Sequence, residues 1–117
     1  MDFKVRLEEE QGFISVYGDF DDEEAGEALR KSFNRVFDSG RRTIVLDLTK
    51  VDILNSYGVG KILGCYNRLK AEGGQLMFMP LAGAAKDVIE LLMIDSIIPI
   101  FKEGAGSEGG SGESAEA

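Results

Sequence analysis

The 117-residue sequence contains no histidine, a single cysteine and no long apolar run. Without histidine, the chain lacks the side chain that most often serves as a general base near neutral pH and as a metal ligand. Cys65 cannot form an intramolecular disulfide, which fits a reducing cytoplasm. No apolar stretch approaches the roughly 20 residues that a membrane-spanning helix needs. We therefore expect a cytoplasmic protein with no metal site and no membrane insertion.

Acidic residues outnumber basic ones by 21 to 13, which gives a formal net charge of −8. Four of the acidic residues lie in 103–117, a stretch of Gly, Ser, Ala and Glu without any basic residue. Such a composition cannot bury an apolar core, so we predict a domain at 1–102 and a disordered acidic Gly/Ser-rich tail at 103–117. Because phosphate backbones repel an acidic domain, nucleic acid is not an expected partner.

Hydrophobic periodicity predicts three strands in the first half of the chain. Alternating apolar and polar residues at 3–7 and 13–17 predict an opening hairpin with its turn at Gly12. The nearly continuous apolar run at 43–48 is typical of a strand that is buried on both faces of a partly parallel sheet. A short loop is expected at 49–55.

Segments with a helical period follow or separate these strands. The sequence predicts three helices, at about 22–39, from Ser56 to Gly73 and after Pro80. The buried stripe of the third helix is expected to include Leu92. A fourth strand is predicted at 76–79, and 97–101 is expected to add a short edge strand if it pairs. The sequence thus predicts an α/β fold, a single domain with a mixed four- to five-stranded sheet and packed helices in the order β-β-α-β-α-β-α(-β).

Three glycines lie in the first half of the second predicted helix, namely Gly58, Gly60 and Gly64. A dinucleotide-binding fingerprint would need glycine at the position of Leu63, and a Walker loop would need Ser or Thr at the position of Ile62. We interpret the glycines as letting the helix approach the sheet closely. The sequence predicts no catalytic residue and no cofactor, and a small nucleotide-binding protein is the alternative from another functional class.

Ser56 stands where an apolar strand has ended and a helix begins. It could be the N-cap of that helix, a role that Asn55 could equally take. It could also be phosphorylated, because a phosphate at a helix N-terminus meets free N–H groups and the positive end of the helix dipole. Leu54 and Tyr57 flank this position, and they could be core residues or the rim of a docking surface. Cys65 has no activating partner in the sequence and is interpreted as a structural thiol.

The stretch from Ile44 to Gly60, IVLDLTKVDILNSYGVG, resembles the central signature of STAS domains, the anti-sigma factor antagonist family. In that signature a strand that ends in hydrophobic-Asp-Leu leads to Asp-Ser-Ser-Gly-hydrophobic-Gly at a helix start. The element Gly18-Asp19-Phe20-Asp21 is similar to the family's Gly-Glu-Leu-Asp, and Gly73-Gly74 before a strand agrees with a later element. The resemblance covers about residues 3–102.

The resemblance implies a non-enzymatic bacterial module that acts in transcription regulation by partner switching. An unmodified antagonist binds an anti-sigma factor that is also a serine kinase, and so releases a sigma factor. Phosphorylation of the signature serine, whose position is Ser56 here, ends that binding, and a phosphatase restores it. The alternative within the family is a non-phosphorylated STAS subunit of a larger stress-signalling or transporter assembly.

The resemblance also implies a docking surface around the signature serine. The expected partner-binding residues are Asp21, Leu54, Asn55, Tyr57, Gly58 and Gly60. Asn55 stands where the family usually has Asp, and Tyr57 stands where it usually has a second small residue. We expect the free chain to be a monomer.

Overall fold

The computed structural model describes residues 2–102, 107–109 and 111–112 of the chain. Four strands and three α-helices alternate within residues 2–102. In chain order they are β1 (Asp2–Leu7), β2 (Gln11–Phe20), α1 (Glu23–Asp38), β3 (Thr43–Leu54), α2 (Ser56–Ala71), β4 (Gln75–Phe78) and α3 (Gly83–Leu91). A 3₁₀ turn follows α3 at Ile94–Ser96, and two short strands, β5 (Ser107–Gly109) and β6 (Ser111–Gly112), pair in the tail.

The first four strands form one mixed sheet in the order β1-β2-β3-β4. β1 is antiparallel to β2, whereas β3 is parallel to both of its neighbours. The connections β2–α1–β3 and β3–α2–β4 are two βαβ units, and their right-handed crossovers put α1 and α2 on the same face of the sheet. α3 packs against β3, and its buried residues Ala85 and Ile89 belong to the same core cluster as the buried residues of α1 and α2. The predicted single α/β domain with a mixed sheet is confirmed.

The core lies on both faces of the central strand. Ile44, Val45 and Leu46 are each at most 1% exposed, although consecutive strand residues point to opposite faces. This burial explains why the run at 43–48 is continuously apolar rather than alternating. The ring of Phe101 meets Phe13 edge-on, with centroids 5.6 Å apart, and links the C-terminal segment to the sheet.

The prediction of a loop at 49–55 is wrong, because β3 continues to Leu54. β2 is nearly as long, and it pairs with this extension in parallel up to the Phe20–Leu54 pair, with register shifts near Tyr17 and Gly18. The backbone groups of the extension therefore find partners in β2 instead of water. The polar residues Lys50 and Asp52 are tolerated because the end of the sheet leaves one face open to solvent.

The prediction of a turn at Gly12 is also wrong. Gly12 lies inside β2, where it pairs with Leu7 on one side and Ile44 on the other. A Cβ atom at this position would overlap the side chain of Val36 on α1. The glycine is thus required by the close packing of α1 on the sheet, and the chain reverses before β2, at residues 8–10.

The C-terminal part of the domain differs from the prediction in two respects. Residues 97–101 form no strand, and their backbone pairs with the sheet through an isolated bridge between Ile100 and Phe78. Leu92 follows the end of α3 and is 48% exposed, so it does not belong to the buried stripe. Of the predicted disordered tail, residues 103–106, 110 and 113–117 lie outside the described residues, and the disorder of the tail stays a prediction.

Candidate functional site

The candidate site lies at the edge of the sheet where β2 and β3 end together. Phe20 and Leu54 are the last pair of residues between these strands. Because the two strands are parallel, the helices that follow them begin side by side at this edge. Asp22 caps α1, with its carboxylate oxygen accepting a hydrogen bond from the Ala25 N–H at 2.9 Å. The two motif-like elements at residues 18–21 and 55–60 are therefore brought together at one end of the domain, whereas Gly73-Gly74 lies beside Arg42 at the start of β3.

Asn55 is the N-cap of α2. Its side-chain oxygen accepts a hydrogen bond from the Gly58 N–H at 3.1 Å. Its side-chain amide donates a second hydrogen bond to the backbone carbonyl of Asp21, also at 3.1 Å. One side chain thus closes the start of the helix and ties it to the loop before α1.

Ser56 is the first residue of α2, and its side chain is exposed. Since Asn55 supplies the cap, the interpretation of Ser56 as the N-cap is wrong. Within residues 2–102 no protein hydrogen bond engages its hydroxyl. The first intrahelical bond joins the Val59 N–H to the Asn55 carbonyl, so the N–H groups of Ser56 and Tyr57 precede the helical ladder.

Tyr57 is 36% exposed, and its ring leans toward α1. A Cβ atom at Gly26 of α1 would lie 3.1 Å from both Cε2 and Oη of this ring. The ammonium group of Lys61 lies 5.2 Å from the ring centroid, in cation–π geometry. Tyr57 is therefore both a bridge between the two helices and part of the accessible surface.

Two of the predicted docking residues are not at the surface. Leu54 is only 5% exposed, and Gly58 is buried beneath it. A Cβ atom at Gly58 would overlap the carbonyl oxygen of Phe20 and come within 2.8 Å of Leu54 Cδ1. Both residues fix the helix start to the sheet in the free chain, and their role as partner contacts stays a prediction. Gly60 is exposed, and a Cβ atom there would meet nothing within 4 Å.

Ile53 is an accessible residue of this edge that the sequence interpretation missed. It is 47% exposed, beside the buried Leu54. The alternation of Val51 and Ile53 with Lys50 and Asp52 indicates that the strand continues. The exposure of Ile53 has no such signal, because a register shift with β2 separates it from the buried Val51.

Acidic groups surround the loop between β2 and α1. A shallow cleft of about 440 Å³ is lined by Gly18, Asp19, Asp21, Asp22, Glu24 and Asp52. Asp21 itself is half-buried, with its carbonyl held by Asn55. The surface next to Ser56 is therefore strongly negative.

The remaining titratable candidate is the thiol of Cys65 on α2. Burial raises the pKa of this thiol to about 12, against the opposing effect of Arg68 and Lys61. It is therefore protonated near neutral pH, as expected of a structural thiol. In the part of the chain that the structure describes, no cluster of three or more His, Cys, Asp or Glu side chains could hold a metal ion. No described helix is long and apolar enough to span a membrane.

Solved structures share this fold. The anti-sigma factor antagonist SpoIIAA in its unphosphorylated form has a TM-score of 0.62 and 22% identity, over 82% of this chain and 97% of that chain. The Bacillus cell fate determinant SpoIIAA in the phosphorylated form has a TM-score of 0.67 and 21% identity, over 87% and 93%. An anti-sigma factor antagonist from Mycobacterium paratuberculosis has a TM-score of 0.69 and 24% identity, over 86% and 84%.

The sequence itself gives the family assignment. The family model of the STAS domain matches residues 4–105, which runs from within β1 to beyond α3 and includes the whole edge that carries Asn55 and Ser56. With this match over most of its length, the chain belongs to the STAS domain family.

Proposed function

We propose that the chain is an anti-sigma factor antagonist that is switched by phosphorylation of Ser56. In the unmodified state it binds an anti-sigma factor that has serine kinase activity, and so frees a sigma factor. The kinase transfers a phosphoryl group to the Ser56 hydroxyl, the complex dissociates, and a phosphatase restores the serine. The proposal takes its partner class from the family and from the antagonists that share the fold, one of which is known in a phosphorylated form.

The observation that carries the proposal is the freedom of the Ser56 side chain. Asn55 already caps the helix, so the fold does not need the Ser56 hydroxyl. The residue is exposed at the first position of α2, where a kinase can reach it. A phosphate there would be tolerated by the domain, because helix N-termini stabilise anions through free N–H groups and the dipole.

The surroundings of Ser56 suggest how the partner is recognised. Ile53 and Tyr57 offer accessible apolar surface on either side of the serine, and Gly60 leaves the next turn of the helix open. The acidic residues around Asp21 form the neighbouring rim. We infer a partner surface with an apolar centre and basic residues facing that rim, since complementary charge directs such encounters.

Phosphorylation would act on the complex rather than on the domain. It adds roughly 1.5 to 2 negative charges at neutral pH, in the middle of the proposed contact surface. A partner shaped for a neutral hydroxyl would have to desolvate these charges, which is costly without new cationic partners. The same addition leaves the core residues around Leu54 untouched.

Phosphorylation is tested on protein isolated from its native cells. The intact mass is measured before and after phosphatase treatment, and the modified peptide is sequenced. We expect a phosphatase-sensitive gain of one phosphoryl group on Ser56. Ser96→Ala, which changes an exposed serine of the 3₁₀ turn, is the matched control for Ser56→Ala: it should still be labelled by the co-purified kinase, whereas Ser56→Ala should not. Labelling that persists in Ser56→Ala would contradict the proposal.

We further propose that the protein is a non-enzymatic regulator that works in the cytoplasm and is a monomer when free. Light scattering on the purified chain and on its native complex tests this arrangement. A small complex with a kinase-type partner supports the antagonist. A large multi-subunit particle without phosphate on Ser56 would instead indicate a structural STAS subunit of an assembly.

A further inference from the structure

A groove of about 300 Å³ runs between α1 and α2 on the outer face of the helical layer. Leu29 and Phe33 of α1 line one wall, and Gly60, Gly64 and Cys65 of α2 line the other. The two α1 side chains belong to the core, so the groove reaches down to apolar surface. Because burial keeps the Cys65 thiol neutral, this floor carries no charge.

The two α2 glycines that line the groove, Gly60 and Gly64, have no structural explanation within the domain. Glycine is among the poorest helix formers, so its presence inside α2 calls for a reason. Gly58 has one, since a Cβ atom there would overlap the Phe20 carbonyl. At Gly60 and Gly64, a Cβ atom would meet nothing within 4 Å. These two positions keep space open along the helix surface, and that space is the groove.

The rim of the groove is cationic although the chain as a whole is acidic. Arg30, Lys61 and Arg68 line it together with one acidic residue, Glu27. Glu27 accepts hydrogen bonds from Arg30, one of them from Nε at 3.0 Å, so these two charges compensate each other. Within residues 2–102 no carboxylate forms a salt bridge with Lys61 or Arg68. The groove therefore carries uncompensated positive charge.

Arg68 lies at one end of the groove, and two neutral side chains fix its guanidinium group. Its Nη1 donates to the side-chain oxygen of Asn34 at 2.8 Å, and its guanidinium lies 4.5 Å from the ring centroid of Phe37. Neither partner is charged, and the guanidinium keeps further N–H donors for a carboxylate. Lys61 lies two helical turns away on the same face of α2, with Gly64 between them.

We propose that this groove binds a small amphipathic carboxylate, with the carboxylate on Arg68 and the alkyl chain lying over Gly64 toward Gly60. The size of the groove selects this class of ligand. A volume near 300 Å³ is at the lower end of small-molecule sites, whereas a stable protein interface buries about 800 Å² on each partner. The alkyl chain of the ligand would pack on the apolar floor, and its carboxylate would bind the uncompensated cation.

The test uses the full ¹⁵N-labelled chain and sodium decanoate, kept below its critical micelle concentration. We expect saturable shifts of the Gly60, Gly64 and Cys65 amide signals. Acetate carries the head group without the chain, and decyltrimethylammonium carries the chain with the opposite charge; neither should saturate these signals. Absence of a decanoate response, or an equal response to either control compound, would overturn the proposal.

Variants locate the ligand in the groove. Gly64→Leu fills the open space and should weaken decanoate binding by at least about tenfold, with its melting curve confirming that it folds. Arg68→Gln removes the head-group cation and should weaken binding about two- to fivefold, the range of exposed ion pairs. Lys86→Gln removes an exposed charge from α3, which contributes no residue to the groove, and should bind as wild type. Wild-type affinity in Arg68→Gln, or in a folded Gly64→Leu, would place decanoate elsewhere and overturn the proposal.

Discussion

The side-chain amide of Asn55 donates a hydrogen bond to the backbone carbonyl of Asp21, 34 residues earlier in the chain, at 3.1 Å. The same side chain accepts the Gly58 N–H, so one residue serves both the helix start and the loop before α1. An aspartate at this position could cap the helix but could not donate to the carbonyl. Asn55 therefore joins the two segments that flank the proposed docking surface.

Substitutions at Asn55 separate the two hydrogen bonds. Asn55→Ala removes both, and we expect the free energy of unfolding to fall by about 1–2 kcal/mol, the usual loss for an N-cap. Asn55→Asp keeps the cap but replaces the amide donor with a carboxylate oxygen that faces the Asp21 carbonyl. The free energy of unfolding should therefore fall by a smaller amount, about 0.5–1.5 kcal/mol. Urea unfolding of both variants measures the difference. Equal losses would show that the cap contributes nothing beyond the tie to Asp21.

Substitutions at Ser56 should alter binding and leave stability nearly unchanged. Because Asn55 is the cap, Ser56→Ala should change the free energy of unfolding by less than about 0.5 kcal/mol. Ser56→Asp should also remain stable, since the helix dipole favours an acid at this position. Its affinity for the anti-sigma factor should fall by roughly 1–3 kcal/mol, as for a misplaced interfacial charge. Calorimetry with the isolated partner and thermal melts test both statements, and wild-type affinity in Ser56→Asp would exclude the switch at this residue.

Gly58 and Gly60, two residues apart on α2, should respond in opposite ways to alanine. The added methyl group in Gly58→Ala overlaps the Phe20 carbonyl, so we expect a loss of about 1–3 kcal/mol. In Gly60→Ala it enters open space, and the better helix propensity should stabilise the domain by up to about 1 kcal/mol. Each variant is the control for the other in denaturant unfolding. Equal effects of the two substitutions would mean that Gly58 of α2 does not pack closely against the Phe20 carbonyl at the end of β2.

Much of the fold could be predicted because local patterns and long-range packing agree. The run at 43–48 is apolar at consecutive positions, and both faces of β3 are buried there. The errors arose where a distant partner decides the local structure. Gly12 has the appearance of a turn residue, but Val36 on α1 requires it inside a strand. Residues 49–54 contain charges, but the length of β2 keeps them paired in the sheet.

The candidate site could be predicted as a region but not in its detail. The position of Ser56 at a helix start followed from the sequence, whereas the choice between Ser56 and Asn55 as cap did not, because both side chains can supply an oxygen. The burial of Leu54 depends on how closely Gly58 approaches Phe20, a contact between elements far apart in the chain. The exposure of Ile53 follows from the same strand extension that the sequence interpretation missed.

Leu46 should be among the most sensitive positions of the core. It lies in the middle of β3, is 1% exposed, and pairs with Ile14 and Phe78 on the neighbouring strands. Leu46→Ala should lower the free energy of unfolding by about 2–5 kcal/mol through lost burial and a residual cavity. Leu91→Ala is the matched control, because Leu91 is 81% exposed at the end of α3, and its effect should stay within about 0.5 kcal/mol. Comparable losses in the two variants would contradict the position of β3 at the centre of the sheet.

The thiol of Cys65 should react slowly in the folded protein and affect stability only at high pH. Burial raises its pKa from the ordinary 9.0 to about 12, so at pH 9 little of the reactive thiolate exists in the folded state. We expect iodoacetamide to modify the native chain at pH 9 at least about 100-fold more slowly than the chain in urea, as the raised pKa implies. A raised acid pKa favours the folded state below pH 9, and this contribution is lost as the pH rises from 9 to 12. The stability of the wild type relative to Cys65→Ala should therefore decrease over that range, and a constant difference between them would contradict the raised pKa.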